Sequence, residues 1–322
     1  MDENRKTESV YPLVMDPSFR SGEDTPWGGR ALRDRFGKDA PEGITGESLE
    51  VSALPGHESR VANGIYRGKS LQEVFERWGE RLTGKRDRVF PLMLKLLDAE
   101  QCLSVQVHPD DRYAMEHEGK AGKSEAWYIL DAEPGARLVY GVDADGGELR
   151  SAAENGRLEE HLHWVEAHPG DVFHIPAGTV HALGAGIRCY EIQQSSDVTY
   201  RFWDWNRVGK DGRPRELHLR QALDVSKPDR KPETAEKQQA NRAGGDTVLL
   251  VDDPHFQLYA VDLKGSRILT GGRMRFMTPM TACTLRWGDN SAELAPYRSA
   301  VIPAGLESAE ICGSGRVLLS CT

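Results

Sequence analysis

Cysteine is scarce in this sequence, and its placement argues against two common kinds of site. The 322 residues include five scattered cysteines, none of which belongs to a CxxC pair: Cys102, Cys189, Cys283, Cys312 and Cys321. An odd and scattered set of this kind argues against a disulfide framework and against a cysteine-based zinc site. The sequence therefore predicts neither.

Long apolar runs and basic stretches are also missing. No run approaches the roughly 20 apolar residues of a membrane span, and the polar first ten residues lack the apolar core of a signal peptide. The formal net charge is -9, and no basic stripe offsets it. We therefore expect a cytoplasmic protein with no membrane or nucleic-acid partner, in which locally placed Arg and Lys hold any anionic substrate. Glycine-rich nucleotide-binding loops are absent as well, so no nucleotide role is predicted.

What the sequence does contain is short apolar, alternating runs separated by Gly, Pro and Asp, which are typical of a mainly β fold. Strands are predicted near residues 49–53, 91–97, 102–108, 126–130, 137–140, 171–175, 186–193, 256–262 and 299–302. One helix is predicted from Leu71 to about Leu82, because apolar residues recur there at helical spacing. Ser70 and Glu73 form a possible capping box at its start, and Gly84 is a plausible stop.

The segment CLSVQVHPDD carries a polar strand face. In a strand, Ser104, Gln106 and His108 lie on one face, whereas Val105 and Val107 lie on the other. On an open sheet such a polar face is solvent-exposed, but on a barrel strand it points into the lumen. A solvated face and a metal site are both compatible with this pattern.

Two further segments supply candidate ligands. Glu125, in GKSEAWYIL, shares its strand face with Trp127, and a carboxylate beside bulky apolar groups is costly to bury unless it is paired or metal-bound. The alternative is an exposed edge-strand Glu125 in a salt bridge with Lys123. His181 follows the turn at 176–178, where the chain re-enters a strand. Two histidines, one carboxylate and a neutral amide suit a divalent ion such as zinc.

Other histidines compete for this role. His174 lies on a different segment from His181, so we interpret it as structural or as a support for a ligand. His161 and His163 form an HxH pair, but no third ligand is spaced like Glu125. A solvated strand face is the preferred interpretation for that pair.

Five segments in order resemble type I mannose-6-phosphate isomerases: GESLEVSALPGHESRVANG, FPLMLKLLDAEQCLSVQVHPDD, GKSEAWYILDAEPGA, GDVFHIPAGTVHALGAG and EIQQSSDVTYRFWDWNR. The similarity extends from about residue 26 to about residue 223, and the length is similar to the short bacterial form. The resemblance implies a cupin fold, a jelly-roll barrel with a metal in its lumen. It implies one zinc per chain, or another divalent ion, bound by Gln106, His108, Glu125 and His181. The implied activity is the interconversion of mannose 6-phosphate and fructose 6-phosphate.

The resemblance also places Glu191 and Arg201 in the active site, with Lys123 beside the metal. Aldose–ketose isomerisation needs ring opening and then proton removal next to a carbonyl, through an enediolate that a cation stabilises. We expect Arg201 to stabilise the developing negative charge. Lys123 and Glu191 are candidates for proton transfer or ring opening. The alternative is that Arg201 pairs with Asp197 or Asp204 and that Glu191 pairs with a nearby base.

The substrate contacts are less constrained by the sequence. Ser104 could reach the phosphate, although a buried hydroxyl bonded to the neighbouring strand explains it equally well. Trp27 belongs to the resemblance, and the following Gly28 and Gly29 permit close backbone approach. A simple turn with a packed indole is the alternative.

The C-terminal part repeats one motif. Residues 300–305 (AVIPAG) resemble residues 173–178 (FHIPAG), but Ser308 stands where His181 stands in the first copy. We interpret residues 247–322 as a second, metal-free, cupin-like β domain, with chance recurrence of a common turn as the alternative. Residues 1–230 would form the catalytic cupin with a helical insertion near 70–86, and the polar segment 231–246 would be a linker.

Two other functions are compatible with such a chain. A non-haem iron dioxygenase would need two histidines, one carboxylate and open positions for oxygen. A non-catalytic protein that binds sugar phosphates would not need proton-transfer groups. In the preferred interpretation the partner is a small-molecule sugar phosphate, and the chain is a monomer or homodimer.

Overall fold

The computed structural model describes residues 8–209, 212–228 and 246–322. Across these ranges the chain forms the following strands: β1 (Leu13–Asp16), β2 (Ser18–Ser21), β3 (Thr45–Val51), β4 (Arg60–Val61), β5 (Leu92–Ala99), β6 (Val105–Val107), β7 (Glu125–Ala132), β8 (Arg137–Val142), β9 (Leu162–Glu166), β10 (Val172–Ile175), β11 (His181–Ala182), β12 (Ile187–Gln194), β13 (Tyr200–Trp203), β14 (Thr247–Asp252), β15 (Gln257–Thr270), β16 (Arg275–Pro279), β17 (Cys283–Trp287), β18 (Asn290–Leu294), β19 (Ala300–Ile302) and β20 (Ser308–Cys321). The α-helices are α1 (Ala31–Asp34), α2 (Leu71–Trp78), α3 (Glu80–Thr83), α4 (Asp111–Glu118), α5 (Gly146–Glu154) and α6 (Leu219–Val225).

Two antiparallel sheets enclose the first core. One has the order β10-β7-β12-β5-β3-β2, and the other has the order β13-β6-β11-β8-β9. Trp127, Ile129 and Leu97 of the first sheet meet Leu138 and Tyr140 of the second in one buried cluster. This pair of curled sheets confirms the predicted mainly β, cupin-type fold.

The six-stranded sheet is buried on its other face as well. Leu94 and Leu96 of β5 pack there against the amphipathic helix α2 and against a third sheet. Burial on both faces explains why β5 is a nearly continuous apolar run rather than an alternating one.

The third sheet is built mainly from the C-terminal segment. Its order is β14-β15-β20-β16-β19-β1-β4, with β17 and β18 attached to β20. The pair β15 and β20 runs for 14 residues each, and β15 extends well beyond the predicted strand end at 262. Leu285 and Leu294 meet Met277 and Ile302 in one cluster, so the sheet curls around an apolar core of its own.

The N-terminal chain takes part in this C-terminal sheet. Strand β1 pairs with β19, and β4 pairs with β1. The predicted domain boundaries at 230 and 246 stay a prediction, and the linker at 231–246 lies outside the described residues except for Asp246. Within residues 8–209, 212–228 and 246–322, no helix is long and apolar enough to cross a membrane.

The predicted helix at 71–82 is two helices rather than one. The capping box is present: Glu73 N donates to Ser70 Oγ at 3.2 Å, and Ser70 N donates to Glu73 Oε2 at 2.8 Å. Gly79 then adopts φ 51° and separates α2 from α3, a backbone conformation that favours glycine. Gly84 ends α3 in the left-handed region, as predicted.

Candidate metal centre and active site

The two sheets bring the four predicted ligands to one place. Gln106 on β6 stands opposite His181 on β11, and His108 follows directly after β6. Glu125 comes from β7 of the facing sheet. Ligand atoms of His108, Glu125 and His181 lie within 4.8 Å of one another, and all three residues are buried.

Backbone carbonyls orient both imidazoles. His108 Nδ1 lies 2.9 Å from the carbonyl oxygen of Val198, and His181 Nδ1 lies 2.9 Å from that of Thr179. Because a carbonyl can only accept, each Nδ1 carries the hydrogen, and in the neutral imidazole each Nε2 then has the lone pair. This is the arrangement found around metal-binding histidines, in which the second nitrogen is anchored.

The electrostatics of the cluster fit a divalent cation. Glu125 Oε1 lies 3.2 Å from His181 Nε2, and it is a buried oxygen without a hydrogen-bond partner in the described structure. Burial and the neighbouring Lys123 charge lower the pKa of His108 to about 3, so its imidazole is neutral. Burial alone would raise the pKa of Glu125, but the Lys123 ammonium holds it well below its usual value. A carboxylate oxygen and the lone pairs of two imidazoles converge in a buried site, and this arrangement favours a bound cation.

Gln106 and Lys123 lie between this cluster and solvent. Gln106 Nε2 is 3.4 Å from His181 Nε2, and a half-turn of the amide would present Oε1 there instead. Lys123 Nζ lies 3.1 Å from His108 Nε2 and donates to Glu125 Oε2. Edge exposure of Glu125, the alternative for this residue, is not observed, because its side chain is fully buried.

A cavity of about 270 Å³ opens above Gln106 and Lys123. The other predicted site residues Trp27, Ser104, Glu191 and Arg201 line it. Asp197, which the sequence analysis considered as a partner of Arg201, lines it as well. Further charged residues that the sequence did not single out line the same cavity: Arg20, Asp24, Glu47, Lys95 and Arg215. Five of the lining side chains are therefore cationic, although the whole chain is acidic.

Glu191 lies in one row across the six-stranded sheet. Lys95 on β5 and Trp127 on β7 flank it on β12. Trp127 Nε1 donates to Glu191 Oε2 at 2.7 Å, and Lys95 Nζ lies 3.4 Å from Oε1. Lys95 also pairs with Glu47 at 3.3 Å. Burial alone would lower the pKa of Lys95, but these two carboxylates raise it, so Lys95 stays cationic.

Arg201 lies in the corresponding row of the five-stranded sheet, opposite Gln106. Its Nη1 donates to the carbonyl of Glu216 at 2.8 Å, and its Nε donates to Ser104 Oγ at 3.3 Å. Burial and the charge of Arg215 lower the pKa of Arg201 from its usual value.

The two carboxylates that could neutralise Arg201 are engaged elsewhere. Asp204 binds Arg207 and Arg215, and Asp197 binds Lys120 at 2.7 Å. Within the described part of the chain, Arg201 forms no ion pair with a carboxylate. The guanidinium is therefore available to a ligand in the cavity.

The segment from Trp27 to Gly29 makes a close backbone contact. A Cβ at Gly28 would come within 2.5 Å of the backbone nitrogen of Gly46, and the indole of Trp27 packs over Gly46. Both alternatives for this segment therefore hold in part, because the indole is packed and it also lines the cavity.

The site residues that the sequence analysis missed have recognisable but weak signals. Lys95 is a single charge inside the apolar run of β5, and it is only 8% exposed. Glu47, on β3, likewise interrupts a buried strand. Arg20 and Arg215 carry no such signal, because their position at the cavity depends on how distant segments meet.

The competing histidines lie elsewhere. His174 Nε2 lies 2.8 Å from Asp253 Oδ2, which places it at the contact with the C-terminal part. His163 Nδ1 lies 3.0 Å from Asp143 on a part-exposed face. Neither residue lines the cavity above the cluster.

Comparison with known proteins agrees with this architecture. A family model described as phosphomannose isomerase type I, catalytic domain, matches residues 20–134. A mannose-6-phosphate isomerase from Streptococcus mutans is 43% identical over 241 residues, covering 74% of this chain and 76% of that protein. A mannose-6-phosphate isomerase from Bacillus subtilis is 41% identical over 266 residues, covering 81% of this chain and 82% of that protein. The crystal structure of the mannose 6-phosphate isomerase from Bacillus subtilis matches with a TM-score of 0.87 at 34% identity, covering 97% of this chain and 99% of that one. The chain belongs to the type I phosphomannose isomerase family.

Proposed function

We propose that the chain catalyses the reversible isomerisation of mannose 6-phosphate and fructose 6-phosphate with a divalent metal, zinc, at the cluster described above. The observation that carries this proposal is the buried group of His108, Glu125 and His181, whose lone pairs converge beneath a cavity with five cationic side chains in its charged lining. Gln106 would complete the ligand set. Bound there, zinc supplies Lewis-acid stabilisation of negative charge without any redox change.

We assign proton transfer to Glu191. A carboxylate is the acceptor that the reaction needs, because a proton must leave C2 of the open-chain aldose and be returned to C1. Trp127 and Lys95 hold Glu191 in the cavity wall, and its Oε1 has no aligned hydrogen bond in the described structure. The same carboxylate can therefore take up the proton and deliver it to the neighbouring carbon.

We assign Arg201 and Lys123 to hydrogen bonding with oxygen atoms of the substrate. The Arg201 guanidinium would donate to the oxygen on which charge develops as the proton leaves, from a position opposite Gln106. Lys123 Nζ, between the cluster and the cavity, would donate to the ring oxygen during ring opening. In this scheme each residue acts on an atom of the substrate.

We assign the remaining cationic side chains of the cavity to the phosphate group of the substrate. Arg20, Lys95 and Arg215 line the same small cavity, and arginine presents a forked donor that matches phosphate oxygens. Ser104 is held by Arg201 and faces the cavity, and Trp27 forms part of its apolar wall. We assign these two residues to substrate binding.

A coupled assay with mannose 6-phosphate, and with fructose 6-phosphate in the reverse direction, tests this proposal. We expect turnover in both directions, its loss after chelation and its recovery with zinc. Parallel metal analysis and an oxygen electrode address the dioxygenase alternative. Stoichiometric iron with oxygen consumption, or tight sugar-phosphate binding without turnover, would contradict the isomerase assignment.

A further inference from the structure

A second cavity lies on the C-terminal sheet, away from the site described above. It has a volume of about 260 Å³, and its polar lining includes Tyr259, Arg267, Arg273, Arg275 and Cys321. We call it the arginine pocket. No residue that lines it also lines the catalytic cavity.

The register of the sheet explains how the arginine pocket forms. Gln257, Cys321 and Arg275 stand opposite one another across β15, β20 and β16. Two residues further along, Leu319 and Met277 belong to the apolar core around which this sheet curls. The row of Gln257, Cys321 and Arg275 therefore lies at the end of the enclosed apolar face, where side chains meet solvent.

The charges in this pocket have one sign. Of the residues that the structure describes, three arginines line it and no Asp or Glu does. Arg273 Nη1 donates to Gln257 Oε1 at 2.9 Å and contacts Cys321 Sγ at 3.4 Å. Arg275 Nη1 donates to the carbonyls of Thr270 at 2.7 Å and of Arg273 at 3.3 Å.

Neither Arg273 nor Arg275 forms an ion pair with a carboxylate belonging to residues 8–209, 212–228 or 246–322. The nearby Asp252 accepts instead from Gln257 Nε2 at 2.8 Å. Burial and the charge of Arg273 lower the pKa of the half-buried Arg275, so the charged form of Arg275 is disfavoured at this position. Two cations held close together without a counter-ion gain stability from a bound anion.

Other arginines in the molecule support this interpretation. Among arginines that are at least partly buried, Arg188 pairs with Asp98, Arg207 pairs with Asp204, and Arg316 pairs with Asp262. Arg201 lacks a carboxylate partner among the described residues, and it lines the cavity of an enzyme whose relatives act on a sugar phosphate. The half-buried Arg275 repeats that pattern in a cavity of similar volume, with Arg273 beside it.

We propose that the arginine pocket binds a phosphate group, either as inorganic phosphate or as a phosphate monoester, at a site separate from the catalytic one. Forked guanidinium donors match phosphate oxygens in pairs, and the Tyr259 hydroxyl, which now donates to Gln257 at 2.9 Å, adds a further donor. The proposal does not depend on the catalytic assignment, because it shares no residue with that site.

Phosphate binding to the metal-loaded full chain tests the proposal. Isothermal titration with inorganic phosphate is compared between the unaltered chain and the double variant Arg273→Gln/Arg275→Gln, with the exposed Arg286→Gln on β17 as the matched control. We expect the double variant to bind one equivalent of phosphate fewer, or to bind phosphate at the arginine pocket with a Kd higher by about tenfold or more. Turnover in phosphate-free buffer should be unchanged. Identical isotherms for the double variant and the unaltered chain would overturn the proposal.

Two further arms keep the test decisive. If the double variant does not fold, as judged by circular dichroism, the single variant Arg273→Gln is used, because its side chain is exposed and the same rise in Kd is expected. The source of the phosphate is resolved in the Arg201→Ala background, which suppresses turnover. Mannose 6-phosphate and inorganic phosphate are titrated separately there, with and without Arg273→Gln/Arg275→Gln, and the binding that the double substitution removes is assigned to the arginine pocket. Tighter binding of the ester at the arginine pocket identifies a sugar phosphate, and equal or tighter binding of inorganic phosphate identifies the free anion.

Discussion

At the scale of single residues, the chemistry we propose uses side chains whose partners leave one specific atom available. The carbonyls of Val198 and Thr179 engage the Nδ1 atoms of His108 and His181, so both Nε2 atoms remain as acceptors. Arg201 is held through a backbone carbonyl and a hydroxyl rather than a carboxylate, so its charge is not neutralised. In both cases neutral partners fix the geometry and leave the reactive capacity of the group intact.

Replacing Arg201 with alanine should therefore affect turnover far more than metal binding. We expect turnover to fall about a hundredfold to a thousandfold, the usual effect of removing one donor to a developing oxyanion. Zinc content, measured by elemental analysis, should be unchanged because Arg201 is not a ligand. Arg150→Ala, at an exposed position on α5, is the matched control. Near-normal turnover of Arg201→Ala would show that its assigned role is wrong.

Glu191→Gln tests the assigned proton carrier. The amide oxygen can still accept from Trp127 Nε1, so the fold should be kept while the basic group is lost. We expect turnover to fall about 10²- to 10⁴-fold, together with a matching fall in solvent deuterium incorporated into the sugar. Glu154→Gln, exposed on α5, serves as the control. Full deuterium incorporation in Glu191→Gln would move the proton-transfer role to another side chain.

At the scale of secondary-structure elements, register decides which residues become neighbours. A single row across β13, β6 and β11 holds Arg201, Gln106 and His181. A single row across β5, β12 and β7 holds Lys95, Glu191 and Trp127. Because side chains alternate between faces, a one-residue slip in any of these strands would remove its residue from the cavity.

Helix α2 supports the six-stranded sheet from outside, and its capping box gives a prediction at this scale. Ser70→Ala removes the acceptor for Glu73 N, and we expect a loss of about 1 kcal/mol in the free energy of unfolding. Chemical denaturation measures this loss, and turnover should not change because α2 does not line the cavity. Ser70→Asp keeps an acceptor and should restore most of the stability. An unchanged midpoint for Ser70→Ala would mean that packing alone holds this helix.

At the scale of the whole molecule, buried polar contacts join the catalytic sheets to the C-terminal sheet. Tyr190 and Ser320 share a hydrogen bond of 2.6 Å, and His174 contacts Asp253 at 2.8 Å. Lys38 pairs with Glu50 at 2.6 Å and donates to the carbonyl of Tyr297. Strand β1 adds backbone pairing to β19. The C-terminal sheet is therefore in direct polar and backbone contact with the rest of the molecule.

The contact between His174 and Asp253 gives this coupling a pH dependence. Burial alone would raise the pKa of Asp253, but hydrogen bonds from His174 and from the backbone of His255 lower it. A lowered pKa in the folded state contributes stability above the unfolded pKa, and this contribution is lost as the pH falls through the folded value. Asp253→Asn should therefore cost about 1–3 kcal/mol near neutral pH, and the gap to the unaltered chain should close below about pH 4.

Denaturant unfolding from pH 3 to pH 7 measures that gap. Asp289→Asn, at an exposed turn between β17 and β18, is the matched control and should show no gap at any pH. A gap for Asp253→Asn that stays constant down to pH 3 would mean that the carboxylate charge plays no part in the coupling.

The sequence by itself determined the strand pattern, and strand faces together with the family resemblance indicated the candidate ligands. Gln106 and His108 at i and i+2, and Glu125 beside Trp127, could be recognised because strand periodicity is local and a buried carboxylate is rare without a partner. The tertiary structure alone decided that these faces meet in one lumen, that Lys95, Glu47 and Arg215 join them, and that the N-terminal strand β1 completes the C-terminal sheet. Those contacts link residues up to nearly three hundred positions apart in sequence, and local periodicity carries no information about which distant strands pair. The arginine pocket also depends on tertiary structure, because folding brings Arg267, Arg273 and Arg275 together with no Asp or Glu of the described residues in the lining.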